Sequence, residues 1–308
     1  MTPAKVYPLP LKISAPVRLA LAENKAIVAL ESTVITHGLP YPQNLETLSM
    51  LEYCALENGA TPATICALDG VFHIGLDAED IKLLTYKFMQ PEALHKLTSR
   101  DISMAAARKY SGGTTVSATM YLAHLVGIDV FATGGIGGVH RGWQNTMDIS
   151  LDIKALASIP MIVVCAGCKA ILDIPATLEM LESSGVPVYG WQTEEFPSFY
   201  SRQSGQTVDR LDSLSELATA YRYHQDLPLV SSGMLIANPI PKESEIAREE
   251  IEPYIQQAIS DAKGLSGKAL TPYLLAILAE ITENKSVSAN LVLLKNNVVL
   301  AAHIAAEL

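Results

Sequence analysis

The feature that most constrains the fold is an alternation of short apolar runs with longer segments of helical spacing. The runs "AIVALE" (26–31), "IDVFATGG" (128–135), "MIVVCAG" (161–167) and "SSGMLIANPI" (231–240) have the length and composition of buried strands. Segments with helical spacing separate them, for example "QNLETLSMLEYCALENGA" (43–60). This order predicts an α/β protein whose central, largely parallel sheet is covered by helices on both faces.

Several local signals refine this prediction. Asp69-Gly70 lies between two apolar runs and predicts a β-hairpin, which would add an antiparallel strand. Two helices are predicted on either side of Gly112-Gly113, and a crossover helix is predicted over "KAILDIPATLEMLESSG" (169–185). The sequence contains no internal repeat and no evident linker, so we expect one domain spanning residues 1–308.

Charge and cysteine content limit the class of function. The chain has 22 Lys and Arg against 32 Asp and Glu, a net charge of −10, which is unfavourable for binding a nucleic acid polymer. The first residues, "MTPAKVYPLPLKIS", lack a continuous apolar leader, and no membrane span is expected. The four cysteines, Cys54, Cys66, Cys165 and Cys168, are few for this length and suit the reducing cytoplasm.

Polar residues stand where the predicted strands end. Glu31, Thr133, Lys169 and Asn238 each follow an apolar run, and ligands of such sheets bind at the carboxyl ends of strands. If these strands are neighbours, the loops converge on one pocket.

Lys169 and Glu31 are the candidates for chemistry. A lysine just beyond a buried strand can be desolvated, which lowers its pKa and frees the amine for Schiff-base formation. The alternative is a lysine at a helix start that points to solvent. Glu31 is a candidate general acid, or alternatively caps the backbone of "STVITH" (32–37).

The glycine-rich segment "TGGIGGVHRG" (133–142) predicts an anion-binding loop supported by His140 and Arg141. It does not match the dinucleotide fingerprint, because His140 occupies the place of the third glycine. The alternative is a tight turn. Lys96 and the pair Thr114-Thr115 could also serve an anion or decorate the surface.

Asp148 and Asp152 are four residues apart and would share one face of a helix. With Ser150 between them they suit a hard divalent cation held partly through water. The alternative is that Asp148 caps a helix and Asp152 is a solvated helix residue. Cys165 and Cys168 are expected to be packing residues, since no further soft ligands for zinc lie nearby in the sequence.

Seven stretches together resemble one family. They are "ALESTVITHGLPYPQNLET", "GTTVSATM", "VFATGGIGGVHRG", "DISLDI", "VVCAGCKAILD", "QTEEFPSFYSRQSG" and "ANPIP". On these motifs the chain is similar, from about residue 10 to residue 305, to the pseudouridine-5'-phosphate glycosidases, also called indigoidine synthase A-like proteins.

The resemblance implies a three-layer α/β/α fold with a mixed sheet, a homotrimer and a Mn²⁺-dependent reaction. That reaction interconverts pseudouridine 5'-phosphate and water with uracil and ribose 5-phosphate. By motif, Lys169 resembles the nucleophile, Glu31 the proton donor and Asp148 the Mn²⁺ ligand. The residues that resemble substrate contacts are Lys96, Val116, Thr133, His140, Ser150, Asp152 and Asn290.

Two features depart from the family pattern. Cys168 stands where the family usually has alanine, and the segment around Trp143 is atypical and could reshape the rim of the pocket. Two other functional classes remain open: another Schiff-base lyase acting on a sugar phosphate, and a non-catalytic nucleotide-binding module. Release of uracil distinguishes the first, and the joint presence of Glu31 and Lys169 argues against the second.

Overall fold

The computed structural model describes residues 9–90, 94–228, 231–262 and 270–308. Within these ranges eleven strands form one sheet. The strands are β1 (Leu11–Ile13), β2 (Ile27–Leu30), β3 (Thr61–Leu68), β4 (Val71–Ile74), β5 (Leu94–Leu97), β6 (Ser111–Thr114), β7 (Val130–Ala132), β8 (Ile162–Cys165), β9 (Val188–Trp191), β10 (Asp209–Leu211) and β11 (Met234–Ala237).

The sheet is mixed, as the family resemblance implies. Its main path runs β1-β4-β3-β2-β7-β8-β11-β9-β10, and β6 joins β5 to β3 beside that path. The pairs β3–β4 and β3–β6 are antiparallel, and the other pairs are parallel. The hairpin predicted at Asp69-Gly70 is confirmed, and both residues have positive φ there.

Helices cover the sheet in two groups. They are α1 (Ala15–Ala22), α2 (Thr33–His37), α3 (Gln43–Glu57), α4 (Ala78–Phe88), α5 (Ile102–Ala107), α6 (Val116–Leu125), α7 (Trp143–Thr146), α8 (Leu151–Leu156), α9 (Ile174–Ser183), α10 (Leu214–Asp226), α11 (Arg248–Asp261), α12 (Leu270–Ile281) and α13 (Lys285–Glu307). α13 contacts α3, α10 and α12, whereas α8 contacts α6 and α9. Every residue of β2, β7, β8 and β11 is buried, so both faces of the sheet centre are covered and the three-layer prediction is confirmed.

The helices predicted on either side of Gly112-Gly113 are confirmed as α5 and α6, and the two glycines lie in β6, a strand that was not predicted. Residues 111–114 hydrogen-bond to β5 on one side and to β3 on the other, and this tertiary pairing outweighs the low strand propensity of glycine. A side chain would not fit at this point, since a Cβ on Gly112 would lie 2.0 Å from the carbonyl oxygen of His95.

The prediction of a helix over 169–185 is wrong at its start. α9 begins at Ile174, where the Asp173 side chain accepts a hydrogen bond from the N–H of Ala176 and Pro175 stands in the first turn. Residues 169–173 instead form a turn against the glycine-rich segment, in which the Leu172 N–H donates to the Lys169 carbonyl at 3.0 Å. Lys169 therefore does not lie at a helix start.

One helix in the described part of the chain, α13, has the length and hydropathy to cross a membrane. Half of its most apolar window is buried within the protein, and it contacts β2, β7 and β8. A helix that is buried in the core of a protein can have the same length and hydropathy, so we interpret α13 as one of the helices that cover the sheet.

We expect Gly112→Ala to destabilise the fold, because its Cβ would collide with main-chain atoms that cannot rotate away. The expected loss is about 2–3 kcal/mol in the free energy of unfolding, measured by urea titration. Gly185→Ala is the matched control: its φ is +69° but nothing lies within 4 Å of the new Cβ, so the loss should be about 1 kcal/mol. Equal losses for the two variants would contradict the tight pairing of β5 and β6.

Candidate active site

Neighbouring parallel strands bring the candidate residues to one edge of the sheet. β2 pairs with β7, β7 with β8, and β8 with β11, so that Leu30, Ala132 and Val164 lie side by side at their ends. Glu31 and Thr133 follow directly, and Lys169 lies in the loop after β8. The predicted convergence of these three residues is confirmed.

Asn238, which follows β11, has a different role from the one expected. Its side-chain amide donates to Asn297 Oδ1 at 3.0 Å and to the carbonyl of Asn296 at 3.3 Å. Asn297 is fully buried and donates to the carbonyl oxygen of Thr133 at 2.8 Å. Asn238 therefore attaches α13 to the sheet edge instead of lining the cavity.

A cavity of about 780 Å³ opens at this edge. Eight of the ten residues predicted as site residues line it: Glu31, Lys96, His140, Asp148, Ser150, Asp152, Lys169 and Asn290. Val116 and Thr133 are buried beneath this lining. The size is sufficient for a nucleotide-sized ligand.

Glu31 is held in a position that favours its protonated form. Thr133 Oγ1 donates a hydrogen bond to Glu31 Oε1, so Thr133 acts on the site through this carboxyl. Burial raises the pKa of Glu31, while the positive charge of Lys169 and the bond from Thr133 act in the opposite direction. A carboxyl with a raised pKa beside a cavity can act as a proton donor near neutral pH.

The loop that carries Lys169 is fixed by the glycine-rich segment. The Lys169 N–H donates to the carbonyl of Ile136 at 3.0 Å, and the Ile136 N–H donates to the carbonyl of Gly167 at 3.1 Å. Gly167 has φ +84°, and a Cβ there would lie 2.1 Å from the carbonyl oxygen of Pro197. The lysine thus stands on a main chain with little freedom to move.

The glycine-rich segment packs closely, and three of its main-chain N–H groups donate hydrogen bonds to other groups of the protein. The N–H groups of Ile136 and Val139 donate to Gly167 O and Thr177 Oγ1, and that of Gly137 donates to Asp152 Oδ2 at 2.9 Å. The predicted cradle of main-chain donors for an anion is therefore wrong at these positions. The glycines are needed for close approach, as a Cβ on Gly137 would lie 2.3 Å from Ser150 Oγ.

Asp152 is a buried anchor for this part of the site. Its carboxylate also accepts from the N–H of Ser117 at 3.0 Å, at the start of α6. Ser150 caps α8 by accepting from the N–H of Asp152 at 3.2 Å. The alternative of Asp152 as a solvated residue and Asp148 as the helix cap is wrong, because Ser150 is the cap and Asp148 precedes the helix.

Asp148 and His140 form a second polar group on the cavity wall. The His140 N–H donates to the carbonyl of Asp148 at 3.1 Å. Burial lowers the pKa of His140, against the influence of the Asp148 carboxylate, whereas Lys169 and Lys96 lower it further. The lowered pKa favours the neutral imidazole, which can accept a hydrogen bond from a ligand.

The residues present fit only a loosely held metal ion. In the ranges that the structure describes, no three His, Cys, Asp or Glu side chains are grouped so that they could hold a metal. Asp148 offers one carboxylate, with the Ser150 hydroxyl also on the cavity wall. This donor set suits a hard cation that keeps most of its water ligands.

Sequence reasoning missed several residues on the cavity wall. His37 and Arg100 add to the basic side near Lys96, and burial together with the charge of Lys96 lowers the pKa of His37. Phe199 and Tyr200 form an aromatic wall with their ring centroids 4.8 Å apart. Two adjacent aromatic residues in a chain with 6% aromatic content were the available signal.

Cys165 and Cys168 are fully buried free thiols. Burial raises the pKa of each to about 12, which disfavours the thiolate that redox or metal chemistry requires. This is consistent with the prediction that they are packing residues.

Comparison with known proteins gives a consistent result along the chain. The family model described as indigoidine synthase A like protein matches residues 16–307. A protein of Caldanaerobacter subterraneus subsp. tengcongensis named pseudouridine-5'-phosphate glycosidase is 49% identical over 301 residues, which cover 97% of this chain and 96% of that protein. A protein of Paracoccus denitrificans with the same name is 48% identical, over 94% of this chain and 95% of its own length.

Two crystal structures share the fold. An indigoidine synthase A-like protein from Thermotoga maritima matches with a TM-score of 0.85 and 35% identity over 96% of this chain and 95% of its own. The prealnumycin C-glycosynthase AlnA, crystallised with ribulose 5-phosphate, matches with a TM-score of 0.88 and 34% identity over 98% of this chain and 97% of its own.

The raised pKa of Glu31 predicts a pH-dependent stability difference between the wild type and Glu31→Gln. Below the ordinary pKa of a carboxyl, both side chains are neutral. As the pH rises from the ordinary pKa to the raised one, the unfolded chain releases this proton while the folded protein keeps it, so the wild type loses stability, whereas glutamine stays neutral. We therefore expect the Tm of Glu31→Gln to exceed that of the wild type at pH 8 and to approach it at pH 4.

Glu182→Gln on α9 is the control, because this carboxylate is exposed. Its Tm difference from the wild type should change little with pH. A Glu31→Gln difference that is equally independent of pH would show that Glu31 has an ordinary pKa.

Proposed function

The chain belongs to the indigoidine synthase A-like family, and we propose that it is a pseudouridine-5'-phosphate glycosidase. Such an enzyme interconverts pseudouridine 5'-phosphate and water with uracil and ribose 5-phosphate. Relatives that carry this name are 48–49% identical over nearly the whole chain. The acidic net charge is compatible with a single phosphorylated metabolite as substrate, since a local basic group suffices to bind it.

The observation that carries the proposal is that Glu31 and Lys169 face the same cavity from the ends of β2 and β8, the two parallel strands that flank β7. Ordinary glycoside hydrolysis uses two carboxylates on a C–O bond. In pseudouridine 5'-phosphate the ribose is joined to the base by a C–C bond, for which uracil is a poor leaving group. An amine that forms an imine supplies the electron sink that such a bond requires.

The covalent steps are simplest in the direction of C–C bond formation. The Lys169 amine adds to the C1' aldehyde of open-chain ribose 5-phosphate and water leaves, giving an imine. C5 of uracil forms a bond to C1' with the π electrons of its C5–C6 double bond, while the π electrons of the C=N bond move to the imine nitrogen. The proton on C5 then passes to the Glu31 carboxylate. Ring closure by the O4' hydroxyl expels the Lys169 amine, and cleavage is the reverse of these steps.

Glu31 supplies the proton that cleavage requires. Opening of the ribose ring leaves charge on O4', and departure of uracil requires a proton at C5. A carboxyl whose pKa is raised by burial is protonated over more of the neutral range and can donate at either atom. The bond from Thr133 fixes the direction of this carboxyl.

The remaining predicted residues are proposed substrate contacts. Lys96 and His140 lie on the basic side of the cavity and suit the 5'-phosphate, while Ser150 and Asp152 suit ribose hydroxyls. Asn290 lies on α13, across the cavity. Val116 is buried, so a substrate contact there would come from its main chain, and Thr133 contributes through Glu31.

We also propose Mn²⁺ as the cofactor, with Asp148 as its protein ligand and water and substrate oxygens as the others. When bound, the cation would neutralise negative charge on a phosphorylated substrate. Asp148 lines the cavity beside His140 and Ser150, which is the placement this role requires.

The assembly and location are proposed from the family resemblance. A homotrimer would have three times the 33.1 kDa chain mass, which sedimentation equilibrium can measure. Four buried free thiols are compatible with the reducing cytoplasm.

We expect the wild type to release uracil from pseudouridine 5'-phosphate, and Lys169→Ala to lose at least about 10³-fold in kcat, since the nucleophile is removed. Uracil is measured by chromatography. Lys154→Ala, an exposed lysine on α8, is the control and should keep full activity. Sugar-phosphate cleavage without uracil would instead identify the alternative Schiff-base lyase, and binding without any turnover would identify a non-catalytic module.

The metal proposal predicts that a chelator abolishes uracil release and that Mn²⁺ restores it. Asp148→Asn should need far more Mn²⁺ for half-maximal activity, because its amide no longer carries the charge that holds the cation. Asp226→Asn, at the exposed end of α10, is the control and should keep the wild-type Mn²⁺ dependence. Full wild-type activity in chelator would contradict the proposal.

A further inference from the structure

Arg141 makes an unusual set of contacts directly behind the site. Its Nε donates to the carbonyl of Leu172 at 3.2 Å, and its Nη2 donates to the carbonyl of Ala170 at 3.1 Å. The other side of the guanidinium binds the carboxylate of Glu252 on α11, at 2.5 Å and 3.1 Å. One side chain thus connects the glycine-rich segment, the loop after Lys169 and α11.

The two carbonyls that Arg141 binds follow Lys169 closely in the chain. The loop is paired along its length with the glycine-rich segment, through Ile136 opposite Cys168 and His140 opposite Leu172. The Leu172 N–H also donates back to the Lys169 carbonyl at 3.0 Å. Arg141 therefore fixes the distal half of a turn whose first residue is Lys169.

The side chains of Arg141 and Glu252 are 26% and 32% exposed and form a bidentate ion pair, a geometry that can stabilise a fold. That pair does not itself require the two further bonds from Arg141 to the carbonyls of Ala170 and Leu172. Burial acts to raise the pKa of Glu252, but the hydrogen bonds from Arg141 and Gln256 outweigh it and lower that pKa. The carboxylate is therefore charged at neutral pH and holds the guanidinium in one orientation.

The geometry requires an arginine. Four N–H···O bonds leave one planar group in fixed directions, two toward the loop and two toward α11. A lysine could pair with Glu252, but its single nitrogen could not reach both carbonyls while keeping that pair.

We propose that Arg141, oriented by Glu252, is a positioning residue that holds the Lys169 amine at its point of attack on the sugar carbonyl. This inference rests on the proposed function, in which Lys169 is the nucleophile. His140 lines the cavity, whereas the adjacent Arg141 bonds to the loop that follows Lys169. Two consecutive residues thus contact the proposed substrate pocket and the loop of the lysine.

Loss of the bonds between Arg141, Glu252 and the loop after Lys169 should affect turnover more than substrate binding. Displacement of a reacting group by about 1 Å can cost about a hundredfold in rate. The proposed substrate contacts on Lys96, Ser150 and Asp152 do not involve Arg141. We therefore expect kcat for uracil release to fall at least about tenfold in Arg141→Ala and Glu252→Gln, while KM changes less than about threefold.

The experiment combines kinetics with hydrogen exchange on the full-length protein. The variants are Arg141→Ala, Arg141→Lys and Glu252→Gln, and the matched control is Glu249→Gln, an exposed acid on the same helix. Arg141→Lys should remain impaired, because it keeps the charge but not the two carbonyl contacts. Peptides covering residues 166–173 should lose protection from hydrogen exchange in the three variants of Arg141 and Glu252, while those covering β2 and β7 should not.

The outcomes separate this inference from the proposed function. Local loss of protection with a lower kcat and nearly constant KM supports the positioning role. The same local loss of protection in the variants, together with a wild type that releases no uracil, would refute the proposed function and leave only the control of the loop by Arg141. Unchanged protection at 166–173, uniform loss in all peptides, or wild-type kcat in Arg141→Ala would overturn the inference.

Discussion

Main-chain hydrogen bonds between β2, β7 and β8 are the constraint on which the site depends. They align Leu30, Ala132 and Val164 at one edge, so the next residues of three separate chain segments meet there. Because all three strands are buried on both faces, their register is fixed by packing as well as by hydrogen bonds. A carboxyl and an amine far apart in sequence thereby share one cavity without needing to contact each other.

The electrostatics follow from this placement. Burial raises the pKa of Glu31 and lowers that of His140, and the charge of Lys169 lowers both. The site therefore favours a protonated acid and a neutral imidazole beside the lysine. The buried carboxylate of Asp152 accepts hydrogen bonds from the main-chain N–H groups of Gly137 and Ser117, so it is a fixed anchor of the site.

Much of this could be predicted from the sequence, for identifiable reasons. The buried strands and the hairpin were predicted because apolar runs and Asp69-Gly70 are local signals. The identities of Glu31 and Lys169 followed from their positions after such runs. The order of the strands, which makes the two residues neighbours, is a tertiary property and became certain only in the structure.

The missed and wrong predictions also have physical causes. β6 contains Gly112 and Gly113 and was missed because it depends on pairing with β3 and β5, which no local pattern shows. Residues 169–173 have helical spacing but form a turn bonded to the segment around Ile136, and Asp173 with Pro175 delays the helix. The glycine-rich segment resembled an anion-binding loop because sequence shows which residues lack side chains, not which way their N–H groups point.

We propose that Lys169 forms a covalent imine with the sugar. The most direct test is borohydride reduction of the protein in the presence of ribose 5-phosphate, followed by mass spectrometry of its peptides. We expect one reduced sugar phosphate per chain, located on Lys169 and absent from Lys169→Ala. An adduct on a different lysine, or uracil release by Lys169→Ala at the wild-type rate, would contradict it.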